Sequence, residues 1–160
     1  MAVPSYWLVK TEPEVFSLDD LRRAPRQTTR WDGVRNFAAR GHLRAMKKGD
    51  LVFVYHSNAK PSAVVGIAEV VKEAYPDPSQ FDRKDEMGYD PKAKRDAPTW
   101  VTVDVRFREA LPRPVALDEV KRTPALRKMA LVRIARLSVQ PVTAAEWNAA
   151  LALARKKPPA

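Results

Sequence analysis

The stretch LVFVYHSNAKPSAVVGIAEVV (Leu51 to Val71) decides the fold class. It contains two runs, Leu51–Ser57 and Ala63–Val71, that are apolar at nearly every position rather than at every second one. A strand that is wet on one side alternates polar and apolar residues, because successive side chains point to opposite faces. A strand that is apolar on both sides has to be covered on both. These runs are therefore interior strands of a closed or covered sheet, joined by the tight polar link Asn58–Ser62. Gly66 inside the second run marks a bend or a close backbone approach.

Working outward, Tyr6–Lys10 is a strand that stops at Glu12-Pro13, where proline disfavours helical geometry in the residue before it. Phe16–Pro25 is a helix: Ser17 caps it, Asp19 and Asp20 fill its first turn, and Pro25 ends it. Gly33–Met46 has a helical pattern with an apolar stripe of Val34, Phe37, Ala38, Gly41 and Ala45, and Asp32 stands at the cap position. Arg40, Arg44 and Lys47 lie on a neighbouring face. Tyr75–Pro98, charged and rich in proline, is a long loop of the kind that is functional or mobile. Trp100–Arg108 alternates, with Val101, Val103, Val105 and Phe107 on one side. Pro114–Arg122 and Pro124–Ala130 are short helical pieces, and Leu131–Ala135 has no decisive pattern. Leu137–Val142 is a last strand, and Thr143–Ala154 a closing helix with a Thr143/Glu146 capping box. Three or more helices and about five strands argue for an α+β fold in a single domain over residues 1–155, with a frayed tail over 156–160. The doubly apolar strands favour a small mixed β-barrel flanked by helices.

Charge narrows the partners. There are 29 Lys and Arg against 19 Asp and Glu, a formal net charge of +10. Such a surplus suits DNA, RNA or an acidic membrane surface. Cysteine is absent, which excludes disulfides, thiolate metal sites and cysteine nucleophiles. With His42 and His56 the only histidines and no H-E-x-x-H spacing, no metal is expected. Neither a phosphate-binding glycine loop nor a nucleophile elbow occurs, so no cofactor is expected. No apolar run is long enough to span a membrane, and the N-terminus lacks the features of a secretory signal.

What remains is polar residues set among aromatic ones. Trp7, Lys10 and Glu12 stand about the end of the first strand. Trp31, Asp32, Arg35 and Asn36 stand at the helix entrance, and Tyr55, His56 and Ser57 at the end of an otherwise apolar strand. Buried polar groups at strand ends bond either one another or a ligand. Trp and Tyr faces stack bases, Asn, Ser and Asp read base edges, and Lys and Arg neutralise phosphates. Each residue also has a plainer role: Trp7 as core, Lys10 with Glu12 as a surface pair, His56 as a hydrogen-bonded structural residue, the arginine stripe as a solvated face. An enzyme would use Asp32 or Glu12 as general base with His56 assisting. An assembly protein of ribonucleoprotein particles would have no working pocket.

The segments YWLVKTEP, QTTRWDGVRNFAAR, FVYHS, VKEAYPDPSQFD, YDPKAKRDAPTWVTVDV and RLSVQPVT closely resemble the EVE-domain family over about Trp7 to Leu153. The resemblance implies a PUA-like fold and kinship with YTH, ASCH and SRA domains, which hold a modified base in an aromatic pocket. It implies binding, without bond breaking, of modified bases in DNA or RNA, modified cytosines especially. By the family pattern the pocket comprises Trp7, Lys10, Glu12, Trp31, Asp32, Val34, Arg35, Asn36, Tyr55, His56 and Ser57, with Gln80, Trp100 and Ser138 added from the loop and later strands. Arg35, Arg40, Arg44 and Lys47 are the expected phosphate contacts. The sequence does not set the oligomeric state, with a monomer favoured, and the expected location is the cytoplasm if bacterial and the nucleus if eukaryotic.

Overall fold

A computed structural model describes residues 3–156, so the tail beyond Lys156 lies outside the described residues. Six strands form one sheet in the order β2-β5-β4-β3-β1-β6. They are β1 (Tyr6–Thr11), β2 (Thr28–Arg30), β3 (Leu51–His56), β4 (Ala63–Pro76), β5 (Val101–Ala116) and β6 (Val139–Val142). β1 runs parallel to β3, and the other pairs are antiparallel.

The sheet is not closed into a barrel. β2 and β6 are its edges, which corrects the expected closure. The two-sided apolar character of β3 and β4 has another cause: helices cover both faces. On one face α1 (Leu18–Arg23) and α2 (Phe37–Ala45) bury Leu18, Leu21, Ala39 and Leu43 against Trp7, Val9, Val52, Val54 and Val103. On the other, α3 (Leu117–Arg122), α4 (Ala130–Arg133) and α5 (Ala144–Arg155) close over Leu8, Phe53, Tyr55, Val64 and Ile67. Trp147 of α5 stacks on Phe53, with ring centroids 3.7 Å apart, and on Tyr6 at 4.6 Å. Successive residues of β1 and β3 thus enter opposite cores, as the two-residue period of a strand requires.

Local signals hold where they are local. Ser17 and Thr143 each cap their helix through reciprocal bonds with Asp20 and Glu146. Val101, Val103 and Val105 share one core, with Phe107 packed against it. Other boundaries move. α2 begins only at Phe37, because the Asn36 side-chain oxygen accepts from the Ala39 N–H at 2.9 Å and caps it there. Asp32 is therefore not the cap; its carboxylate pairs with Arg30. The buried stripe is Ala39 and Leu43, continued by Met46, while Phe37 is 64% exposed. β5 extends past Arg108 to Ala116 and replaces the start of the helix expected from Pro114. The short edge strand β2 is an addition; it pairs only with β5.

Gly66 does mark a close approach. The β4–β5 register shifts between Val64 and Gly66. A Cβ at Gly66 would lie 2.5 Å from a Leu18 methyl and 2.9 Å from the Glu109 carbonyl oxygen. The backbone oxygen cannot swing aside as a side chain can. Gly66→Ala should therefore cost about 1–3 kcal/mol, the usual range for overpacking, read as a lower urea midpoint at unchanged m-value. An unchanged midpoint would show that β5 gives way freely.

Candidate nucleic-acid interface

A cleft of about 400 Å³ opens where the end of β1 and the following loop face edge strand β2. Its walls are Lys10 and Thr11, Val15 and Phe16, and the consecutive run Thr29 to Asp32. That volume falls within the range of small-ligand sites, about 300–1,000 Å³. Trp31 forms an aromatic wall. Its N–H donates to the Val103 carbonyl at 2.7 Å, which extends the β2–β5 ladder by one bond. Its ring lies over Phe16 with centroids 6.3 Å apart, and the residue keeps 9% exposure. Lys10 is held from two sides: its N–H donates to the Ser138 carbonyl at 2.9 Å and Nζ to the Ala135 carbonyl at 2.7 Å. Burial lowers the Lys10 pKa from its ordinary value. Arg30 Nε donates to Asp32 Oδ2 at 3.0 Å across the mouth. Two aromatic side chains, two cations, one carboxylate and two threonines suit a flat ligand with a polar edge and an anionic flank.

The segment carrying Trp31 is fixed from below by Asp77, which is fully buried. Its carboxylate accepts from the Gly33 N–H at 2.8 Å, Arg35 Nη1 at 3.1 Å, the Ser79 N–H at 2.8 Å and the Ser79 hydroxyl at 2.7 Å. Burial alone would push the Asp77 pKa up; the hydrogen bonds from Ser79, Gly33 and Arg35 outweigh it and hold the pKa below its ordinary value. Gly33 has φ of +78°, a conformation that L side chains resist. The long loop is consequently ordered against this segment. Gln80, buried, donates to the Asp77 and Trp100 carbonyls at 2.7 and 2.8 Å and accepts from the Trp100 N–H at 3.0 Å. Trp100 Nε1 donates to Asp90 at 2.8 Å, and its ring stacks on Phe37.

Of the expected pocket residues, Lys10, Trp31 and Asp32 line this cleft. The others lie elsewhere. Trp31 and Tyr55 belong to cores on opposite faces of the sheet, and Asn36 stands at the start of α2. Lys10 connects the two sides, with Nζ 5.8 Å from the Tyr55 ring centroid. Trp7 sits in the core and donates Nε1 to Asp50 at 2.9 Å. Val34 is core, and Asn36 is the cap of α2. Glu12 accepts from Asn58 at 2.6 Å. His56 Nε2 accepts from the Leu18 N–H at 3.0 Å and lines a different hollow, beside α1; burial lowers its pKa and favours the neutral ring. The Ser57 N–H donates to the Thr11 carbonyl, Ser138 supports Lys10 through its carbonyl, and Gln80 and Trp100 brace the loop.

The expected phosphate contacts divide in the same way. All three guanidinium nitrogens of Arg35 have internal partners: Val34, Asp77, Ser79 and Gly88. Arg40 donates to the Thr99 carbonyl at 2.9 Å and lies over the Phe37 ring. Arg44 on α2 and Lys47 just beyond its end are exposed. Thr11, Val15, Phe16, Thr29 and Arg30 are cleft residues that sequence reasoning passed over. Their signal was the run Thr28–Thr29–Arg30 leading into Trp31, which is β-prone although too short to show a period. Among the described residues no cluster of His, Cys, Asp and Glu is suited to a metal ion.

The model of the EVE domain matches residues 5–153. The chain belongs to the EVE-domain family. It is 44% identical to human thymocyte nuclear protein 1, over 96% of this chain and 76% of that protein. The crystal structure of the human protein in complex with 5-methylcytosine-containing DNA superposes with a TM-score of 0.91, covering 96% of this chain and 99% of that one. A hypothetical protein from Leishmania major is 46% identical, with a TM-score of 0.90 and 95% of each chain covered. The YTH domain of Zygosaccharomyces rouxii MRB1, solved with N6-methyladenosine RNA, shares the fold at a TM-score of 0.54 and 12% identity, over 100% of this chain and 90% of that one. No helix among the described residues of this EVE domain is long and apolar enough to cross a membrane.

Removing the Asp77 charge should loosen the whole segment beneath the cleft. Breaking a buried ion pair from one side costs about 3–5 kcal/mol. Arg35 keeps 21% exposure, so Asp77→Asn should fall at or below the low end of that range. Because the folded carboxyl is the stronger acid, its contribution is whole above about pH 5 and is lost as pH falls from the ordinary Asp value near 3.9 through the lower folded value. Urea unfolding across that window should show an acid slope in the native protein that is shallower in Asp77→Asn. Parallel slopes would mean that Asp77 is not the group responsible.

Proposed function

We propose that this EVE domain binds nucleic acid carrying a modified base and takes that base into the Trp31 cleft, with a modified cytosine in DNA as the first candidate. A relative that is 44% identical has been crystallised with 5-methylcytosine-containing DNA, and that carries the proposal. The cleft supports it chemically. A base everted from its stack needs an aromatic face and hydrogen-bonding groups for its edge. Trp31 offers the face, and stacking is worth about 1–3 kcal/mol per base. A carboxylate accepts from the exocyclic amine of cytosine, and Asp32 stands at the rim. Lys10 Nζ, oriented by Ala135, donates to a ring carbonyl. Val15 and Phe16 provide apolar contact for a methyl group.

The proposed activity is binding without bond breaking. Asp32 is neutralised by Arg30, Glu12 is bonded to Asn58, and His56 lines another hollow, so no carboxylate–histidine pair faces a bound base. Incubation with modified oligonucleotides should release no base and cut no strand; either product would turn the assignment towards an enzyme.

Trp31→Ala should weaken binding to an oligonucleotide with one 5-methylcytosine about 5- to 150-fold, the equivalent of losing one stacked base. Since Trp31 also packs in the core, Trp31→Phe and Lys10→Met should be measured beside it by fluorescence anisotropy, with thermal unfolding as the control for folding. A folded Trp31→Ala protein that binds like the native one would remove Trp31 from the site.

A further inference from the structure

Resting on the nucleic-acid reading above, we infer that the phosphate backbone leaves the cleft at Arg30 and crosses the 77–100 loop along Arg83 and Arg95, not along the arginine stripe of α2. Arg30 lines two hollows at once. One is the Trp31 cleft; the other, of about 410 Å³, has Pro78, Ser79 and Phe81 in its lining together with Arg83 and Arg95. A third hollow, of about 320 Å³, shares Phe81, Arg83 and Arg95 with the second and continues to Tyr89 and Pro91. Through these shared residues the three hollows adjoin in a trough whose first chamber is the base cleft and whose later chambers hold Arg83 and Arg95, with Asp82 and Asp90 as their carboxylates.

The charge in this trough is available. Arg83 and Arg95 are exposed, and among the described residues neither forms an ion pair or donates a side-chain hydrogen bond. The Arg95 guanidinium lies 4.9 Å from the Phe81 ring centroid, which holds a cation in place without neutralising it. In the second hollow Arg30 is paired with Asp32, while Arg83 and Arg95 face one lining carboxylate, Asp82, which already accepts from the Lys84 N–H at 2.9 Å. The trough is also rigid beneath. The 3-10 turn Pro78–Phe81 is pinned by the Asp77 and Gln80 bonds, so a strand lying on it pays little ordering cost. On the rival track Arg35 and Arg40 are bonded internally, and Arg44 and Lys47, though exposed, line none of these hollows.

The test is a salt titration of binding with the full chain and a short DNA duplex carrying one 5-methylcytosine. Each phosphate neutralised contributes about 0.9 to the slope of log affinity against log salt on duplex DNA. Arg83→Gln/Arg95→Gln should lower that slope by about 1.8, two such contributions. Binding of the free nucleoside 5-methyl-2′-deoxycytidine should not change. Lys121→Gln/Arg122→Gln, on α3 across the sheet, should leave the slope as it is. An unchanged slope in Arg83→Gln/Arg95→Gln overturns the track, as does a slope that falls instead in Arg44→Gln/Lys47→Gln. Equal loss of duplex and nucleoside binding also overturns it, since the loop would then serve the cleft and not the backbone. The single variants Arg83→Gln and Arg95→Gln, each expected to lower the slope by about 0.9, keep the test decisive if the double variant folds poorly. The base reading fails separately: if the native protein binds methylated and unmethylated duplexes alike while the slope still falls in the double variant, the trough stands and the base assignment does not.

Discussion

The buried carboxylate of Asp77 is the constraint on which the site depends. A charge taken out of water is tolerable only when it is paired and its lone pairs are satisfied. Here Gly33, Arg35 and Ser79 provide four hydrogen bonds. Those partners come from two distant stretches, the turn after β2 and the loop after β4, so meeting the needs of one carboxylate ties them together. Trp31 stands two residues before Gly33, and the cationic trough begins one residue after Asp77. The aromatic wall and the Pro78–Phe81 turn are thus registered against each other by the same node.

Asp50, just before β3, plays a similar part. It is buried and accepts from the Ser5 N–H, the Trp7 indole and the Lys47 N–H. That arrangement joins the start of β1, the turn after α2 and the start of β3. Two buried carboxylates therefore brace the face beneath α1 and α2, while the opposite face is held by apolar packing around Trp147. The division suits the proposed work. A binding cleft needs side chains held before the ligand arrives, since ordering them at binding would subtract from affinity.

The position of the cleft follows from the open sheet. Lys10 and Thr11 end β1, and Thr29 and Arg30 belong to edge strand β2, with three strands between it and β1 in the sheet order. The two meet where the residues after each strand, Val15 and Phe16 on one side and Trp31 and Asp32 on the other, line one cleft. Backbone groups at such ends are not all used by the ladder. The polar side chains beside them, Lys10 on Ala135 and Arg30 on Asp32, hold defined directions while remaining at a surface.

What the sequence determined by itself was whatever depends on near neighbours along the chain. The reciprocal caps at Ser17 and Thr143, the alternation from Val101 to Val105 and the two-sided apolar character of Leu51–Tyr55 are local patterns, and the structure keeps them. The resemblance carried by WDGVRN and YHS pointed to the family, and Lys10, Trp31 and Asp32 do meet in one cleft. Tertiary structure alone decided the rest. A strand apolar on both faces reads the same whether a barrel closes on it or helices cover it, so openness could not be read. α2 carries two possible apolar stripes, one through Phe37 and one through Ala39 and Leu43, and the cap at Asn36 together with the sheet beneath selects the second. Arg35 and Arg83 are the same residue type in charged surroundings, yet the first is bonded internally and the second is exposed. Periodicity records that a side chain is buried or paired; which distant group does the burying or pairing is settled only when the chain is folded.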